Sequence, residues 1–529
     1  MTRLQKLLIL GICCATFAGI SSASVANVYI AQSAAGAGDG SSCGNAKAAS
    51  FFNSSANWGS GSSQIGPGTT VHLCGTISSA LTAQGNGASG NPITVLFESG
   101  AKLSTGVFPV SGALNLSGRS WVTVNGGTAC GPSVTNKASC NGKIENTANG
   151  TGLSNRTDQT VGINVDGSNN ITIQNMLISN IYVHSSGSDT SVSGQPLPSG
   201  IWATNATSNI EIKNSSLHDA NWMLSFVGGS AMSGLNFHDL DIYNSDHCLA
   251  VGVVSQTDNN ISFHDSRCHD GANWDTAAND YHHDGVHLYT TTGSGRITNA
   301  QTYNNVFDGY WGVNNTAAIF EEGPGGGEVD NTIYNNVFLQ NSTSFNWNNG
   351  FINLGNLDGS NPSTTKLYNN TAVAGAGQNA YLFQLAYAVD MRGNALVTSN
   401  SSTGVVINLI SNVTGTIDYN YYASPLNPFQ ISNAGKTFAQ WQAAGRDAHG
   451  GTGTPPMNIS TSTGQPSANF AGISNAQNLS NLGIATLDMD KAGNARPSAG
   501  DWDVGAFQFS TSSSSQPPAP PAGLAAVVN

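Results

Sequence analysis

The sequence predicts an all-β solenoid, in which the short strands of successive coils stack in parallel along one axis. The first observation is a pattern, apolar-x-apolar-x-Asn/Asp, that recurs as ITIQN (171–175), IEIKN (210–214), LNFHD (235–239) and ISFHD (261–265), and in looser form around Asn305, Asn336, Asn370, Asn394 and Asn420. The second is its spacing, with a base period of about 25 residues, which is typical of repeat folds. The third is that Gly, Asn and β-branched residues interrupt every helical periodicity.

The repeat also predicts how the strands pack. Strands of neighbouring coils pair about 4.8 Å apart, so that residues of like position stack on one another. Asparagine at one fixed position can then form a hydrogen-bonded ladder along the axis. A β-sandwich or a string of small β domains is the alternative, but neither accounts for one repeated Asn/Asp position.

The chain divides by composition into five segments. Residues 1–26 have the pattern of a secretory signal peptide, with two basic residues, an apolar run and small residues at its end. We expect an N-terminal cap and the first coils in residues 27–125, and the central coils with the functional groove in residues 126–425. Residues 426–510 are expected to hold the last coils and a closing segment, and residues 511–529 are a Ser/Pro-rich tail that need not fold.

The charge and the apolar content of the exported chain limit the classes of partner that it is expected to bind. Removing Arg3 and Lys6 with the signal peptide leaves 15 of the 17 basic residues against 30 acidic ones. Nucleic acid is therefore not an expected partner, because phosphate binding needs clustered Lys and Arg. No segment after the signal peptide is apolar for long enough to span a membrane. We expect a secreted, soluble protein, extracellular or periplasmic, that acts as a monomer.

Six cysteines remain after export, and an oxidising compartment favours disulfides between them. Two pairs are plausible from the sequence: Cys43 with Cys74, and Cys130 with Cys140. Cys268 aligns with the buried position of Ile242 on the preceding coil, whereas Cys248 falls in a different column. We therefore expect Cys248 and Cys268 not to pair.

Two C-terminal stretches carry a resemblance to a known superfamily. FAQWQAAGRDAHG (438–450) and ARPSAGDWDVGAFQF (495–509) are similar to segments that close many bacterial secreted proteins of the pectate-lyase-like superfamily. With the repeat, the likeness covers most of residues 27–510 and implies a single-stranded right-handed parallel β-helix. Such folds host lyases, hydrolases, epimerases and non-catalytic adhesins, so the function has to be argued from the site.

Titratable residues concentrate in one window of the chain. Between His218 and His287 lie eight of the eleven histidines and ten aspartates, with Arg267 as the one basic residue. NDYHHDGVHLY (279–289) is the densest part. A local concentration of titratable groups is a candidate site.

The repeat register predicts which of these residues meet. HDANWMLSF (218–226) and YNSDHCLAV (243–251) align without a gap, and the third coil begins with His269-Asp270 and resumes as HHDGVHLY (282–289) after an insertion of about eleven residues. Asn221-Trp222, Asp246-His247 and His283-Asp284 should therefore share one column. Alternation points His287 outward and Val286 and Leu288 inward.

This arrangement is typical of a site that cleaves a polysaccharide. Stacking places the carboxylates of Asp246 and Asp284 some 5 to 9 Å apart, a range that includes the separations of both retaining and inverting glycosidases. Asp246 and Asp284 then share the acid and the base or nucleophile roles, and His247 and His283 tune them. The residues expected to contact substrate are His287, Glu321, Tyr310, Trp311, Trp222, Asp270 and Arg267. The insertion GANWDTAAND (271–280) is expected to form one wall of the groove with Trp274.

A faint second resemblance concerns the mechanism. NSDHCLAVG (244–252), a histidine-glycine motif one coil later and SGRIT (294–298) resemble the polygalacturonase family. That family carries two adjacent aspartates before Cys, where this chain has Asp246 and His247. The resemblance offers Arg296 as a candidate for binding a substrate carboxylate.

Several alternatives stay open at this stage. No cofactor is required by the hydrolytic scheme, but a divalent cation is an option, either Zn or Mn at His282, Asp284 and His287 or Ca at clustered aspartates. The same group of residues could instead form a hydrogen-bonded network that orders the inserted loop. The runner-up reaction is β-elimination on a uronate, with His283 or His247 as the base and a cation or Arg267 neutralising the charge. A non-catalytic glycan-binding adhesin is the third alternative.

Overall fold

The computed structural model describes residues 24–148, 160–181, 198–271, 283–311, 315–340, 350–355, 365–375, 381–399, 405–411, 413–426 and 429–509. The predicted fold class is confirmed: the chain is an all-β, right-handed parallel β-helix. Each full coil contributes one strand to each of three parallel sheets, which we call the first, second and third sheet in the order in which the chain enters them. Two long strands, Ser208–Gly228 and Ser233–Val253, run through all three sheets in turn.

The remaining strands distribute over the three sheets. The first sheet contains Asn27–Ala31, Thr70–Leu73, Ile93–Phe97, Ser120–Asn125, Asn169–Gln174, Thr257–His264, Arg296–Tyr303, Glu328–Tyr334, Thr365–Tyr368, Val389–Arg392 and Gly415–Asp418. The second contains Thr76–Ile77, Lys102–Thr105, Lys143–Asn146, Leu177–Ile181, Arg267–His269, Val306–Asp308, Val337–Gln340, Thr371–Ala374, Ala395–Thr398, Tyr421–Ala423 and Gly451–Gly453. The third contains Leu81–Thr82, Leu114–Asn115, Val161–Asn164, Ser199–Ala203, His283–Thr290, Asn315–Glu322, Ile352–Leu354, Phe383–Leu385, Ile407–Leu409 and Phe429–Ile431.

Few elements lie outside these sheets. Lys47–Ala48 pairs with the first strand, and Ala434–Lys436 runs antiparallel to Phe429–Ile431. The described α-helices are Ala49–Asn53 and Phe438–Ala443, and the 3-10 helices are Cys43–Asn45, Ser55–Asn57, Lys137–Ser139, Pro324–Gly326 and Ser480–Leu482. In the parts of the chain covered by the structure, no helix combines the length and the apolar character that crossing a bilayer requires.

The repeated Asn/Asp residues fall into two adjacent positions rather than one. Asn175, Asn214, Asp239 and Asp265 turn the chain between the first and second sheets with φ between 49° and 63°, a left-handed conformation that Asn and Asp tolerate best among non-glycine residues. The ladder forms one residue later and begins at Asn305. Sequence spacing alone could not separate these two positions, because both use asparagine.

The amide ladder occupies the interior of the later coils. Each side-chain amide donates to the carbonyl oxygen of the next amide at 2.9–3.0 Å, through the series Asn305, Asn336, Asn370, Asn394 and Asn420. Asn420 then donates to the carboxylate of Asp447 at 3.0 Å, where the ladder ends.

The two C-terminal stretches close the molecule in different ways. FAQWQAAGRDAHG forms the helix Phe438–Ala443, whose buried Trp441 stacks on Phe429 at 4.6 Å and donates to Asp447. ARPSAGDWDVGAFQF packs along the corner of the left-handed asparagines instead: Arg496 donates to Asn335 at 2.8 Å. One stretch therefore covers an end of the solenoid and the other covers a side.

Three disulfides link the described cysteines. Cys43–Cys74 and Cys130–Cys140 form as expected. The expectation that Cys248 and Cys268 do not pair is wrong, because the structure joins them with their Cα atoms 6.3 Å apart. Cys268 does stack on Ile242 in the second sheet, but Cys248 points inward from the third sheet, so the two columns meet inside the coil. Aligning the columns predicts which residues are neighbours along the axis of the solenoid. It does not predict which residues face each other across the interior of a coil.

Candidate functional site

The titratable window folds onto three consecutive coils in the predicted register. Trp222, His247 and Asp284 are successive partners at the start of the third sheet. His218, Tyr243 and His269 form the equivalent column in the second sheet, with stacked rings 4.5 and 5.1 Å apart. Segments far apart in the sequence therefore meet at one place. We call the group formed by Asp246, His247, His283, Asp284 and His287 the His–Asp centre.

The inner half of the His–Asp centre is built around the carboxylate of Asp246. Its Oδ1 lies 2.8 Å from Nδ1 of His283, and its Oδ2 lies 3.0 Å from Nδ1 of His247. Asp246 and His283 are 0% exposed and His247 is 2% exposed. Both oxygens of this buried carboxylate are therefore engaged by imidazoles.

The outer half of the centre contains Asp284 and His287. Oδ2 of Asp284 lies 3.2 Å from Nε2 of His247 and 3.7 Å from Nδ1 of His287, and Oδ1 accepts the backbone N–H of Ala317 at 3.1 Å. Nδ1 of His287 lies 3.3 Å from Nε2 of His247, and its Nε2 lies 3.3 Å from Oε1 of Glu322. The network thus leads from buried Asp246 to Glu322, whose side chain is 36% exposed.

Charge compensation inside the centre outweighs burial. Burial raises the pKa of Asp246, but the imidazoles of His247 and His283 bring it below its ordinary value. Burial lowers the pKa of His247, but the carboxylates of Asp246 and Asp284 together raise it to about 9. A buried charge is stable only beside a partner of the opposite sign. In the His–Asp centre the aspartates and the histidines are such partners for one another.

Aromatic rings and glycines shape the surroundings of the centre. Trp222 lies over His247 with ring centroids 4.9 Å apart, and Phe320 stacks on His287 at 4.8 Å. Tyr289 contacts His287 at 4.5 Å and covers Gly252, where an added Cβ would lie 2.3 Å from the phenol ring. Glycine on one coil therefore makes room for the tyrosine of the next.

A second charged group lies on the neighbouring second sheet. His269 contacts Asp270 at 2.6 Å and Asp241 at 3.3 Å, and Lys137 from the Cys130–Cys140 loop contacts Asp241 at 2.8 Å. Burial lowers the pKa of His269, but its two carboxylate partners raise it above the ordinary value.

Arg267 belongs to this second group and not to the His–Asp centre. Its guanidinium forms two hydrogen bonds to the carboxylate of Asp308, at 2.8 and 2.9 Å. Arg296 contacts Glu328 at 3.1 Å and donates to backbone carbonyls around Gly293. Both arginines suggested for binding a substrate carboxylate therefore have acidic partners within the protein.

The two aromatic residues proposed as sugar platforms behave differently. Tyr310 is 38% exposed, and its backbone N–H donates to Oδ1 of Asp270 at 2.6 Å. Trp311 is 0% exposed, donates from its indole to the carbonyl of Asp308 at 2.8 Å, and lies against Gly271. Trp311 is thus a core residue at a corner of the coil, which corrects its expected place in the groove, whereas Tyr310 is accessible.

Glu321 points into the coil, contrary to its expected place on the outer surface. It pairs with Leu288, which faces the core, and its carboxylate accepts hydrogen bonds from Asn331 and Thr365 at 2.8 Å each. Burial raises the pKa of Glu321 to about 7. Its neighbour Glu322 faces outward and contacts His287. In AAIFEEG two apolar residues precede two glutamates, so alternation could not select between them.

Two residues of the sequence-based site, His282 and Trp274, lie outside the described residues. The cation site proposed at His282, Asp284 and His287 therefore rests on the other two. Within the described residues, single donor atoms of His247, Asp284 and His287 lie within 4.8 Å of one another.

Sequence reasoning missed two members of the surroundings, Asp241 and Lys137, and the burial of a third, Asn221. Asp241 and Lys137 meet only because the disulfide loop reaches across from an earlier coil, which no repeat pattern indicates. Asn221, 2% exposed, lies in the Asp246 column, and its side-chain amide has no hydrogen-bond partner among the described residues. The column alignment does include Asn221, so its position was predictable but its burial was not.

His238 and His264 lie on the first sheet, outside the His–Asp centre. Their rings stack 4.9 Å apart, and each bonds to the aspartate that follows it in the sequence.

No protein-family model matches the chain, and no curated protein matches it. Among solved structures, it is similar to the GH136 lacto-N-biosidase from Eubacterium ramulus at 10% identity, over 81% of this chain and 67% of that one, with a TM-score of 0.41. It is also similar to the pectate lyase Pel9A (14% identity, 93% and 98% covered, TM-score 0.40) and to a rhamnogalacturonan lyase (11% identity, 86% and 97% covered, TM-score 0.38). These likenesses concern the fold, and function has to be argued from the site.

Proposed function

We propose that this chain is a secreted enzyme that cleaves the glycosidic bonds of a polysaccharide, and that the His–Asp centre carries the reaction. The observation that supports it is one connected network of three imidazoles and two carboxylates, buried on neighbouring coils and leading to the half-exposed Glu322. A solenoid presents an extended surface along its axis, which suits a long polymeric substrate.

Stability alone is a poor explanation for this network. Replacing buried ion pairs by well-packed apolar side chains is often neutral or stabilising, by about 1–4 kcal/mol. Buried titratable groups with strongly shifted protonation are concentrated at functional sites instead. The alternative interpretation, in which the network only orders the inserted loop, is therefore weaker.

Hydrolysis is the leading reaction. In this scheme Asp246 and Asp284 share the acid and base roles, and His247 and His283 set their charge. The ring of His247 lies between the two carboxylates, with Nδ1 3.0 Å from Oδ2 of Asp246 and Nε2 3.2 Å from Oδ2 of Asp284. A substrate bound against Tyr289 would meet the outer end of the network at His287 and Glu322.

β-Elimination on a uronate is the second candidate, because the centre contains three imidazoles that can exchange protons. Arg267 was expected to neutralise the substrate carboxylate in this scheme, but its guanidinium is hydrogen-bonded to Asp308. Neutralising a uronate carboxylate would then require a bound cation.

A panel of neutral and acidic polysaccharides separates these functions in one experiment. We expect new reducing ends without ultraviolet absorbance. Absorbance from unsaturated ends would show a lyase instead. Retention on immobilised glycan without any product would show a non-catalytic binder and would contradict the proposed function.

The variant Asp284→Asn tests the assignment of the centre. We expect kcat to fall at least about 100-fold, because one charged partner of the network is lost while its shape is kept. Asp239→Asn is the matched control, since asparagine occupies the same left-handed corner on other coils, and it should keep full activity. If Asp284→Asn and Asp246→Asn both retain wild-type turnover on a confirmed substrate, the assignment is wrong.

A further inference from the structure

Three side chains of the His–Asp centre each bring one potential metal-ligand atom into a small triangle. Nε2 of His247 lies 3.2 Å from Oδ2 of Asp284 and 3.3 Å from Nδ1 of His287, and the third side of the triangle is 3.7 Å. We propose that His247, Asp284 and His287 bind a divalent transition-metal ion, zinc in the first place.

The size of the triangle fits a tetrahedral ion. Zinc binds imidazole nitrogen and carboxylate oxygen at about 2.0–2.1 Å, so neighbouring ligand atoms of a regular tetrahedron lie about 3.3–3.4 Å apart. Two sides of the triangle match this value and the third is a few tenths of an ångström longer. An ion near the triangle would bring its three ligands together without moving a strand.

Each of the three side chains uses its other polar atom on a supporting group. Nδ1 of His247 bonds to Asp246, Nε2 of His287 lies beside Glu322, and Oδ1 of Asp284 accepts the N–H of Ala317. A carboxylate behind an imidazole fixes the orientation of the ring and strengthens it as a ligand. In a metal site each side chain likewise uses one atom for the ion and the other for its support.

The donor set selects the type of ion. Calcium and magnesium prefer oxygen ligands and waters, whereas two imidazoles with one carboxylate suit zinc and its transition-metal neighbours. Three protein ligands leave a fourth position for water or substrate, as in catalytic zinc sites. Trp222 and Phe320 cover the two imidazoles on opposite sides, which limits access of bulk water to the ligands.

The third ligand differs from the one suggested by sequence. Spacing along the chain indicated His282, which precedes Asp284 by two residues, whereas His247 reaches the point from the preceding coil. His247 and Asp284 are paired across the strands, and His287 follows Asp284 by three residues on the same strand. No zinc signature in the sequence shows this combination, because the ligands come from two coils.

This site shares His247 and Asp284 with the proposed function, but it is tested separately, since ion binding is measured without any substrate. The full exported chain is prepared without a polyhistidine tag, stripped with a chelator and titrated with Zn²⁺, and its content is measured by inductively coupled plasma mass spectrometry. We expect one zinc per chain, and a cobalt(II) form with the strong visible bands of a tetrahedral site.

Variants identify the ligands. Asp284→Asn and His287→Gln should weaken zinc binding at least about 100-fold, and Asp246→Asn, which removes a supporting carboxylate, should weaken it about 10–100-fold. His264→Gln is the matched control on the first sheet and should bind zinc as the wild type does. Circular dichroism establishes that each variant is folded before titration.

The outcomes separate the inference from the proposed function. Absence of stoichiometric zinc from the wild type, a weak octahedral cobalt spectrum, or wild-type binding by folded His287→Gln would overturn the site. The wild-type cobalt spectrum decides the question even if a ligand variant does not fold. Glycan cleavage by a wild-type protein that binds no zinc in the titration would overturn the site and leave the proposed function standing.

Discussion

At the scale of single residues, hydrogen-bond partners decide the protonation of equally buried carboxyl groups. Asp246 and Asp258 are both 0% exposed. Two imidazoles bring the pKa of Asp246 below its ordinary value despite burial, whereas burial raises the pKa of Asp258 to about 7. Oδ1 of Asp258 accepts the N–H of Met232, and burial outweighs the hydrogen bonds that the carboxylate receives from Met232 and Gln256. Burial thus raises the pKa of both carboxyl groups, and the imidazole partners of Asp246 reverse its effect there.

Asp258→Asn should stabilise the protein above neutral pH. The folded pKa of about 7 lies above the ordinary value of 3.8, so ionisation is penalised in the folded state. The penalty is absent below about pH 4, grows as the pH rises, and is complete above about pH 7. We expect a gain of about 2 kcal/mol at pH 8 and almost none at pH 4, measured as the difference in melting temperature from the wild type. A lower melting temperature at pH 8 would contradict this explanation.

At the scale of elements, the asparagine ladder satisfies buried amides that the strands leave over. Oδ1 of Asn370 accepts the backbone N–H and the side-chain amide of Asn336, both at 3.0 Å. Its own Nδ2 donates to Asn394 and to the carbonyl of Ile333 at 2.9 Å each. Each member of the ladder therefore completes the hydrogen bonding of its neighbours.

Asn370→Ala tests this dependence. The change leaves the buried backbone N–H of Asn336 without its acceptor, and it removes one of the two partners of the Asn336 side-chain amide and of the Asn394 oxygen. An unsatisfied buried group costs about 1–3 kcal/mol. We expect a loss of about 3 kcal/mol or more in the free energy of unfolding, followed by thermal and urea denaturation. Asn259→Ala, on the outer side of the first sheet, is the control and should change stability by less than about 0.5 kcal/mol. Equal effects of the two variants would refute the structural role of the ladder.

The sequence predicted the features that follow from its periodicity. It did not predict contacts between residues that face each other across a coil. The fold, the pairing of Trp222, His247 and Asp284, and the inward direction of Leu288 all follow from the repeat. The disulfide between Cys248 and Cys268 does not, because it joins two sheets within one coil. Insertions between strands also hide contacts such as Lys137 with Asp241, since loops carry no period.

At the scale of the whole molecule, both ends of the stacked sheets need a cover. The helix Ala49–Asn53 places Phe52 at one end of the core, and Trp58, which follows the 3-10 helix Ser55–Asn57, packs against it with ring centroids 5.0 Å apart. The helix Phe438–Ala443 covers the other end with Trp441, and Asp447 accepts the last ladder amide together with the hydroxyl of Tyr422. Uncovered strands offer unpaired backbone groups to other molecules.

Trp441→Ala should open this end of the molecule. Removing a fully buried tryptophan costs about 3–5 kcal/mol and exposes the rings beneath it. We expect a lower melting temperature and concentration-dependent self-association, measured by size-exclusion chromatography with light scattering, whereas we expect the wild type to elute as a monomer. Leu426→Ala, an exposed residue in the same region, should leave both properties unchanged. A monomeric Trp441→Ala with wild-type melting would show that the helix is not a cover.

The ladder between Asn305 and Asn420 has a consequence for how such a chain can grow. Each rung of the ladder presents an asparagine amide to the next rung. A gene duplication that inserts one whole coil there would therefore give a chain in which every ladder amide still has its hydrogen-bond partners. The coils of the His–Asp centre are each different, and copying one of them would separate His247 from Asp284. Changes in the length of this protein over generations should therefore accumulate on the C-terminal side of residue 305.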